Sequence, residues 1–182
     1  MAPRARSVLV LGGARSGKSA FAQQLAEAAA PERLYLATGA AGDDEMAARI
    51  ATHRAARGVG WATREEPLEL ADALRREARA GRVVLVDCLT LWLSNCLFGG
   101  LDLAGELGRL GAALREVAGP VILVSNEVGS GIVPETKLGR EFRDWQGRLN
   151  QQTAAACDAA VLVIAGLPVA ELAAEFRLRH DP

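Results

Sequence analysis

The chain has 182 residues, 50% of them hydrophobic and 24% charged, with a formal net charge of −1. That length fits one globular domain with a sizeable core, and the absence of a basic run interleaved with aromatics argues against a nucleic-acid partner. No apolar stretch approaches the ~20 residues of a membrane span, and the apolar stretch before Gly12 is too short for a signal peptide. Cys88, Cys96 and Cys157 lack C-x-x-C spacing and read as reduced, mostly buried thiols of a cytoplasmic protein with no zinc site.

The first predicted element is a strand, Ser7–Leu11, followed by Gly12-Gly13-Ala14-Arg15-Ser16-Gly17-Lys18-Ser19 and a helix over Lys18–Ala29. The octapeptide fits G-x-x-x-x-G-K-[ST] between a strand and a helix, the context that motif requires. Glycines at 12 and 17 permit conformations and close approaches that a side chain would block, so successive N–H groups can ring a phosphate. The helix that follows points its positive end at the same anion. Lys18 suits the β and γ phosphates and the Ser19 hydroxyl suits Mg²⁺. A chance glycine-rich turn is the alternative, and the flanking elements argue against it. A nucleoside triphosphate is the expected ligand.

Leu34–Ala37 is a short second strand, and Asp43–Arg57 has helical character with Asp43 or Asp44 as N-cap candidates. Pro67–Ala80 reads as an amphipathic helix. Val83–Val86, Val121–Val124 and Val161–Ile164 are continuous apolar runs of the kind buried on both faces of a parallel sheet. Helices are predicted near Leu103–Val117 and Lys137–Cys157, and the tail from Val169 to Pro182 as a peripheral helix with a polar end. Alternating strands and helices predict an α/β domain, a mostly parallel central sheet flanked by helices. Residues 1–182 form a single P-loop nucleotide-binding domain in this reading, with 169–182 a peripheral tail.

Ligands of such sheets collect at the carboxyl ends of the strands. Asp87 ends the run Val83-Val84-Leu85-Val86 and is placed to orient Mg²⁺, usually through its water shell. A turn or helix cap would be the other explanation for a lone Asp there, and the phosphate loop favours the metal role. Ser125-Asn126-Glu127-Val128-Gly129-Ser130-Gly131 suits either a ligand-lining loop or ordinary turn chemistry. Of two histidines, His180 belongs to the tail, whereas His53 lies among Arg49, Arg54 and Arg57. Those arginines suit triphosphate oxygens and disfavour imidazolium, keeping His53 neutral and nucleophilic near pH 7.

Several segments together resemble the bifunctional adenosylcobinamide kinase and adenosylcobinamide-phosphate guanylyltransferase family of cobalamin biosynthesis. They are the phosphate loop, Tyr35-Leu36-Ala37-Thr38, Asp43–Ile50 with His53, Trp61–Pro67, Asp87-Cys88-Leu89-Thr90, Ser125–Pro134, Gly139–Asp144, Gly147–Gln151 and Val163–Pro168. The likeness runs from about Val8 to Pro168, and the Asn126–Pro134 and Asp43–His53 segments are its most specific parts. It implies a RecA-like P-loop NTPase domain assembled as a homotrimer. It also implies two reactions, each with Mg²⁺: phosphorylation of adenosylcobinamide from ATP or GTP, and transfer of GMP from GTP to adenosylcobinamide phosphate. In such enzymes a histidine carries GMP covalently, and the matching position is His53; some relatives have two adjacent histidines where this chain has Thr52-His53. The same resemblance marks Thr38, Arg54, Arg57 and Glu65 as nucleotide contacts, Glu65 being able to accept from guanine N1–H and N2–H. Arg143 and Arg148 lie five apart, off a common helical face, and read as structural. A kinase without a covalent intermediate is the competing enzyme class and would not need His53. A nucleotide-driven switch would need a water-orienting residue and a partner surface, neither of which is identifiable.

Overall fold

The computed structural model describes residues 6–39 and 58–173; the predicted Asp43–Arg57 helix, with His53, Arg54 and Arg57, and residues 174–182 lie outside them. The described elements are β1 (Ser7–Gly12), α1 (Lys18–Ala29), β2 (Glu32–Ala37), β3 (Trp61–Glu65), α2 (Leu70–Glu77) and β4 (Arg82–Asp87). They continue with α3 (Leu89–Phe98), α4 (Leu103–Glu116), β5 (Val121–Asn126), α5 (Lys137–Ala156), β6 (Ala159–Ile164) and β7 (Leu167–Ala173). The strands form a seven-stranded sheet in the order β3-β2-β4-β5-β1-β6-β7. All neighbours pair parallel except β6 and β7.

The valine and leucine runs become central strands because both of their faces are covered. Val83, Val84, Leu85 and Val86 of β4 are all buried, as are Val121 to Val124 of β5. Their side chains alternate between two apolar layers. One layer joins Leu9, Leu36, Val84, Val86 and Leu123 to Leu74, Trp92, Leu93, Leu110 and Leu149 of the four later helices. The other joins Val10, Val83, Leu85, Ile122 and Val124 to Ala22 and Ala26 of α1. Alanines on the buried side of α1 let that helix lie close to the sheet. Burial also pushes up the thiol of Cys88, and pushes that of Cys96 to about 12, with Glu106 and Glu69 adding to the latter. Neither is a thiolate at neutral pH.

Three elements differ from the sequence expectation. The edge strand β3 has no continuous apolar run, since it alternates half-buried and exposed residues. Helix α3 is apolar almost all round, with Leu89, Trp92, Leu93 and Cys96 buried, so no polar stripe reveals its period. The tail helix expected from Val169 is corrected over Val169–Ala173, which belongs to antiparallel strand β7. Ala165 and Gly166 have φ of 52° and 80°. Two successive residues with positive φ make the tight turn whose twist suits a β-hairpin. That turn returns the chain along β6, and Pro168 is tolerated because β7 is an edge strand.

Candidate functional site

The phosphate loop leaves β1 at Gly12 and enters α1 at Lys18, at the carboxyl end of the sheet. Its two motif glycines are required by contact. A Cβ on Gly12 would collide with the Ser16 side chain and lie 2.7 Å from the Val163 carbonyl oxygen. Gly17 has φ of 90°, and a Cβ there would sit 2.8 Å from Gly166 Cα. The β6–β7 turn therefore wedges against the loop, and the Gly166 N–H donates to Ser16 O at 2.7 Å. From the other side the Glu127 N–H donates to Gly12 O at 3.1 Å. Lys18 Nζ donates to Gly13 O at 3.1 Å, its one side-chain bond among the described residues, and an ammonium has three donors. Ala14 and Arg15 form the exposed tip, Arg15 with φ of 56°. Neither a side-chain cap nor an acidic residue occupies the first turn of α1, so its N–H groups and positive dipole end suit an anion.

Asp87 ends β4, and Tyr35 Oη donates to its Oδ2 at 3.2 Å. Both Asp87 and Lys18 act electrostatically on the Cys88 thiol, after burial the next upward influence and a downward one respectively. The expected acid and the expected cation thus belong to one neighbourhood. Ser19, half-buried, opens α1 beside Lys18. Thr38 is fully buried, and its hydroxyl accepts from Cys88 N–H at 2.9 Å and donates to Cys88 O at 2.6 Å. Its side chain latches the ends of β2 and β4 together. Asn95 Nδ2 reinforces this by donating to Thr38 O at 2.7 Å and Pro67 O at 3.1 Å. Glu65 is exposed at the end of β3, opposite Ala37, which is itself opposite Asp87. Four strand steps separate β3 from β1, or about 19 Å at the usual strand spacing, so the phosphate loop and Glu65 flank opposite ends of one edge.

Sequence reasoning overlooked a polar layer behind β5. Ser125 Oγ donates to Asn150 Oδ1 at 2.6 Å, and Gln146 Nε2 donates to both Ser125 Oγ and Asn150 Oδ1. Asn150 Nδ2 donates to Asn126 O at 3.0 Å, while the Asn126 N–H donates to Thr90 Oγ1 at 2.9 Å. Polar residues at positions 146 and 150 of a helix, one turn apart, were the available signal. Beyond them Glu127 accepts from the N–H groups of Gly129 and Ser130 at 2.7 and 3.2 Å. Partial burial works to raise its pKa, but those bonds hold it below the usual carboxylate value. For Glu127, turn chemistry is what the structure shows. A separate cleft of about 370 Å³ along α5 is lined by Lys137, Arg140, Glu141, Asp144, Trp145 and Arg148. The Arg148 guanidinium stacks there 4.7 Å over the Trp145 ring, and Arg143 pairs with Asp144.

Among known proteins, the family described as cobinamide kinase / cobinamide phosphate guanyltransferase matches residues 8–170. The bifunctional adenosylcobalamin biosynthesis protein CobP of Pseudomonas aeruginosa is 51% identical over 163 residues, covering 88% of this chain and 94% of its own. The bifunctional adenosylcobalamin biosynthesis protein CobU of Escherichia coli is 42% identical over 177 residues, 89% and 97% of the two chains. Among solved structures, the assembled ATPase EscN from the enteropathogenic E. coli type III secretion system superposes with a TM-score of 0.55 at 11% identity, over 98% of this chain and 45% of that one. The RadB recombinase gives 0.51 at 17%, over 86% and 73%. These two likenesses concern the fold alone, a mostly parallel sheet flanked by helices of the RecA-like P-loop kind.

Proposed function

The chain belongs to the cobinamide kinase / cobinamide phosphate guanyltransferase family, and from that membership and its site we propose the following activity. It phosphorylates adenosylcobinamide from a nucleoside triphosphate, then transfers GMP from GTP to adenosylcobinamide phosphate, giving adenosylcobinamide-GDP and pyrophosphate in cobalamin biosynthesis. The observation that carries this reading is the phosphate loop braced at the carboxyl end of the sheet in the same neighbourhood as Asp87.

In the kinase step the loop N–H groups, the start of α1 and Lys18 hold the β and γ phosphates while the substrate hydroxyl attacks the γ-phosphorus; the new oxygen–phosphorus bond forms as the bond to the β–γ bridging oxygen breaks, nucleoside diphosphate leaves and the hydroxyl proton passes to solvent. In the second step the same cradle receives the leaving group. The neutral His53 imidazole attacks the α-phosphorus of GTP, a nitrogen–phosphorus bond forms, and the bond to the β-phosphate oxygen breaks. Charge growing on pyrophosphate is met by Lys18 and the fixed N–H dipoles. The phosphate of adenosylcobinamide phosphate then displaces His53, completing two in-line transfers. Arg54 and Arg57 steer the triphosphate, and Glu65 accepts from guanine. Thr38, expected as a nucleotide contact, holds the ends of β2 and β4 together through Cys88 beside the nucleotide.

The Ser19 hydroxyl and the Asp87 carboxylate are hard oxygen donors of the kind Mg²⁺ takes, together with water and substrate phosphates. They fit the ion without a dedicated protein cage, and among the described residues no three His, Cys, Asp or Glu side chains form one. When bound, Mg²⁺ supplies neutralisation of phosphate charge. Tyr35 would keep the Asp87 carboxylate oriented toward it. A homotrimer is also proposed, and exposed Ile132 and Val133 offer apolar surface for a subunit contact; a stable, fully active monomer in sedimentation would defeat it.

Incubation with α-labelled GTP, followed by mass mapping of the labelled peptide, tests the covalent step. The label is expected on the peptide containing His53, acid-labile and alkali-stable as a phosphoramidate should be. Product formation without any covalent label would show that transfer is direct.

A further inference from the structure

Gly12, Asn126 and Asp87 share one face of the sheet. Val10 of β1, Ile122 and Val124 of β5, and Val83 and Leu85 of β4 all belong to the layer beneath α1. Side chains two apart on a strand point the same way, so Gly12, Asn126 and Asp87 continue that face at the carboxyl edge. Register places Gly12 opposite Asn126 and Val124 opposite Asp87. Strand β5 runs between β1 and β4. The Asn126 side chain therefore lies between the phosphate loop and the acid, on the side where α1 begins.

The backbone around it is fixed to an unusual degree. Asn126 N–H is held by Thr90, Asn126 O by Asn150, and the next N–H by Gly12 O. Ser125 points to the opposite face, into the Gln146 and Asn150 layer. In contrast, the half-buried Asn126 amide makes no hydrogen bond to any described residue. Asparagine is disfavoured in strands and is usually explained there by a local side-chain bond to the backbone, which is missing here. A pinned amide whose donors meet no partner among the described residues, set between a phosphate loop and a carboxylate, is built to meet an anion.

We infer that Asn126 contacts the terminal phosphate of the nucleoside triphosphate, its Nδ2–H donating to an outer phosphate oxygen. This rests on the loop holding a triphosphate as proposed above. It makes Asn126 the residue that distinguishes a triphosphate from a diphosphate before either transfer, and a donor to pyrophosphate as GMP departs.

Binding of α,β-methylene GTP and α,β-methylene GDP, neither able to donate GMP, is measured by calorimetry with Mg²⁺ for wild type, Asn126→Ala and Asn126→Asp. Loss of a hydrogen bond to a charged oxygen should weaken the triphosphate analogue roughly tenfold or more, and Asn126→Asp should weaken it further. The diphosphate analogue should stay within about twofold in Asn126→Ala, by the same reasoning. Equal weakening of both analogues, or no change in either, overturns the assignment. If Asn126→Ala does not fold by circular dichroism, Asn126→Ser is read by the same two criteria. A wild type that binds neither analogue overturns the loop's proposed role as well, whereas normal wild-type binding with an unaltered variant overturns the Asn126 contact alone.

Discussion

The wedge between the β6–β7 turn and the phosphate loop can be tested with three glycines. Gly17→Ala forces a side chain into φ of 90° and brings Cβ to 2.8 Å from Gly166 Cα, a backbone atom that cannot rotate away. Left-handed strain costs about 1–2 kcal/mol, and overpacking against backbone typically about 1–3 kcal/mol. A total near 3 kcal/mol should lower Tm by roughly 6–12 °C for a domain of this size. Gly166→Ala isolates the strain, because its φ is 80° and nothing lies within 4 Å of its Cβ; it should cost about 1–2 kcal/mol. Gly13→Ala meets nothing within 4 Å and has no positive φ, so stability should stay within about 0.5 kcal/mol of wild type. Thermal denaturation followed by circular dichroism gives the ranking, and calorimetry with a triphosphate analogue should show binding lost in Gly17→Ala. A Gly17→Ala protein that melts no lower than Gly166→Ala would refute the wedge.

Lys18→Ala should leave stability within about 0.5 kcal/mol, since Lys18 Nζ bonds only to an exposed loop carbonyl among the described residues. Both transfers should fall by about 100-fold or more, and near wild-type turnover of either would show that Lys18 serves the loop's structure alone. His53→Asn should abolish covalent GMP labelling and GDP-product formation while leaving measurable phosphorylation of adenosylcobinamide; persistent labelling would point to another nucleophile. Asp158 accepts from Arg6 N–H, Ser7 N–H and Ser7 Oγ, and although partial burial works upward those bonds hold its pKa below the usual aspartate value. A depressed folded pKa means that the stabilisation is complete above the unfolded value and is lost as pH falls through the folded one. Asp158→Ala should therefore cost about 1 kcal/mol at pH 7, and the gap from wild type in urea denaturation should shrink as pH falls below the usual aspartate range and through the lowered folded value; a gap constant with pH would rule out this account.

The phosphate loop, the strand-ending Asp87 and the alternation of elements were legible in sequence because each depends on residues adjacent in the chain. Glycines spaced for a tight loop, a lysine at a helix start and a valine run closed by an acid carry their meaning locally. Tertiary structure decided what depends on distant partners. Tyr35 meets Asp87, and Thr38 meets Cys88, because β2 and β4 pair in register. Strand β7 exists because two residues adopt positive φ and turn the tail onto β6. Helix α3 buries only the stripe Leu89, Trp92, Leu93 and Cys96 but carries further leucines and Phe98 off that stripe, which obscured the periodicity that would have revealed it. The position of Asn126 between Gly12 and Asp87 follows from strand order and register. Its neighbours along the chain specify a polar strand end, and only the insertion of β5 between β1 and β4 gives that end a phosphate loop on one side and a carboxylate on the other.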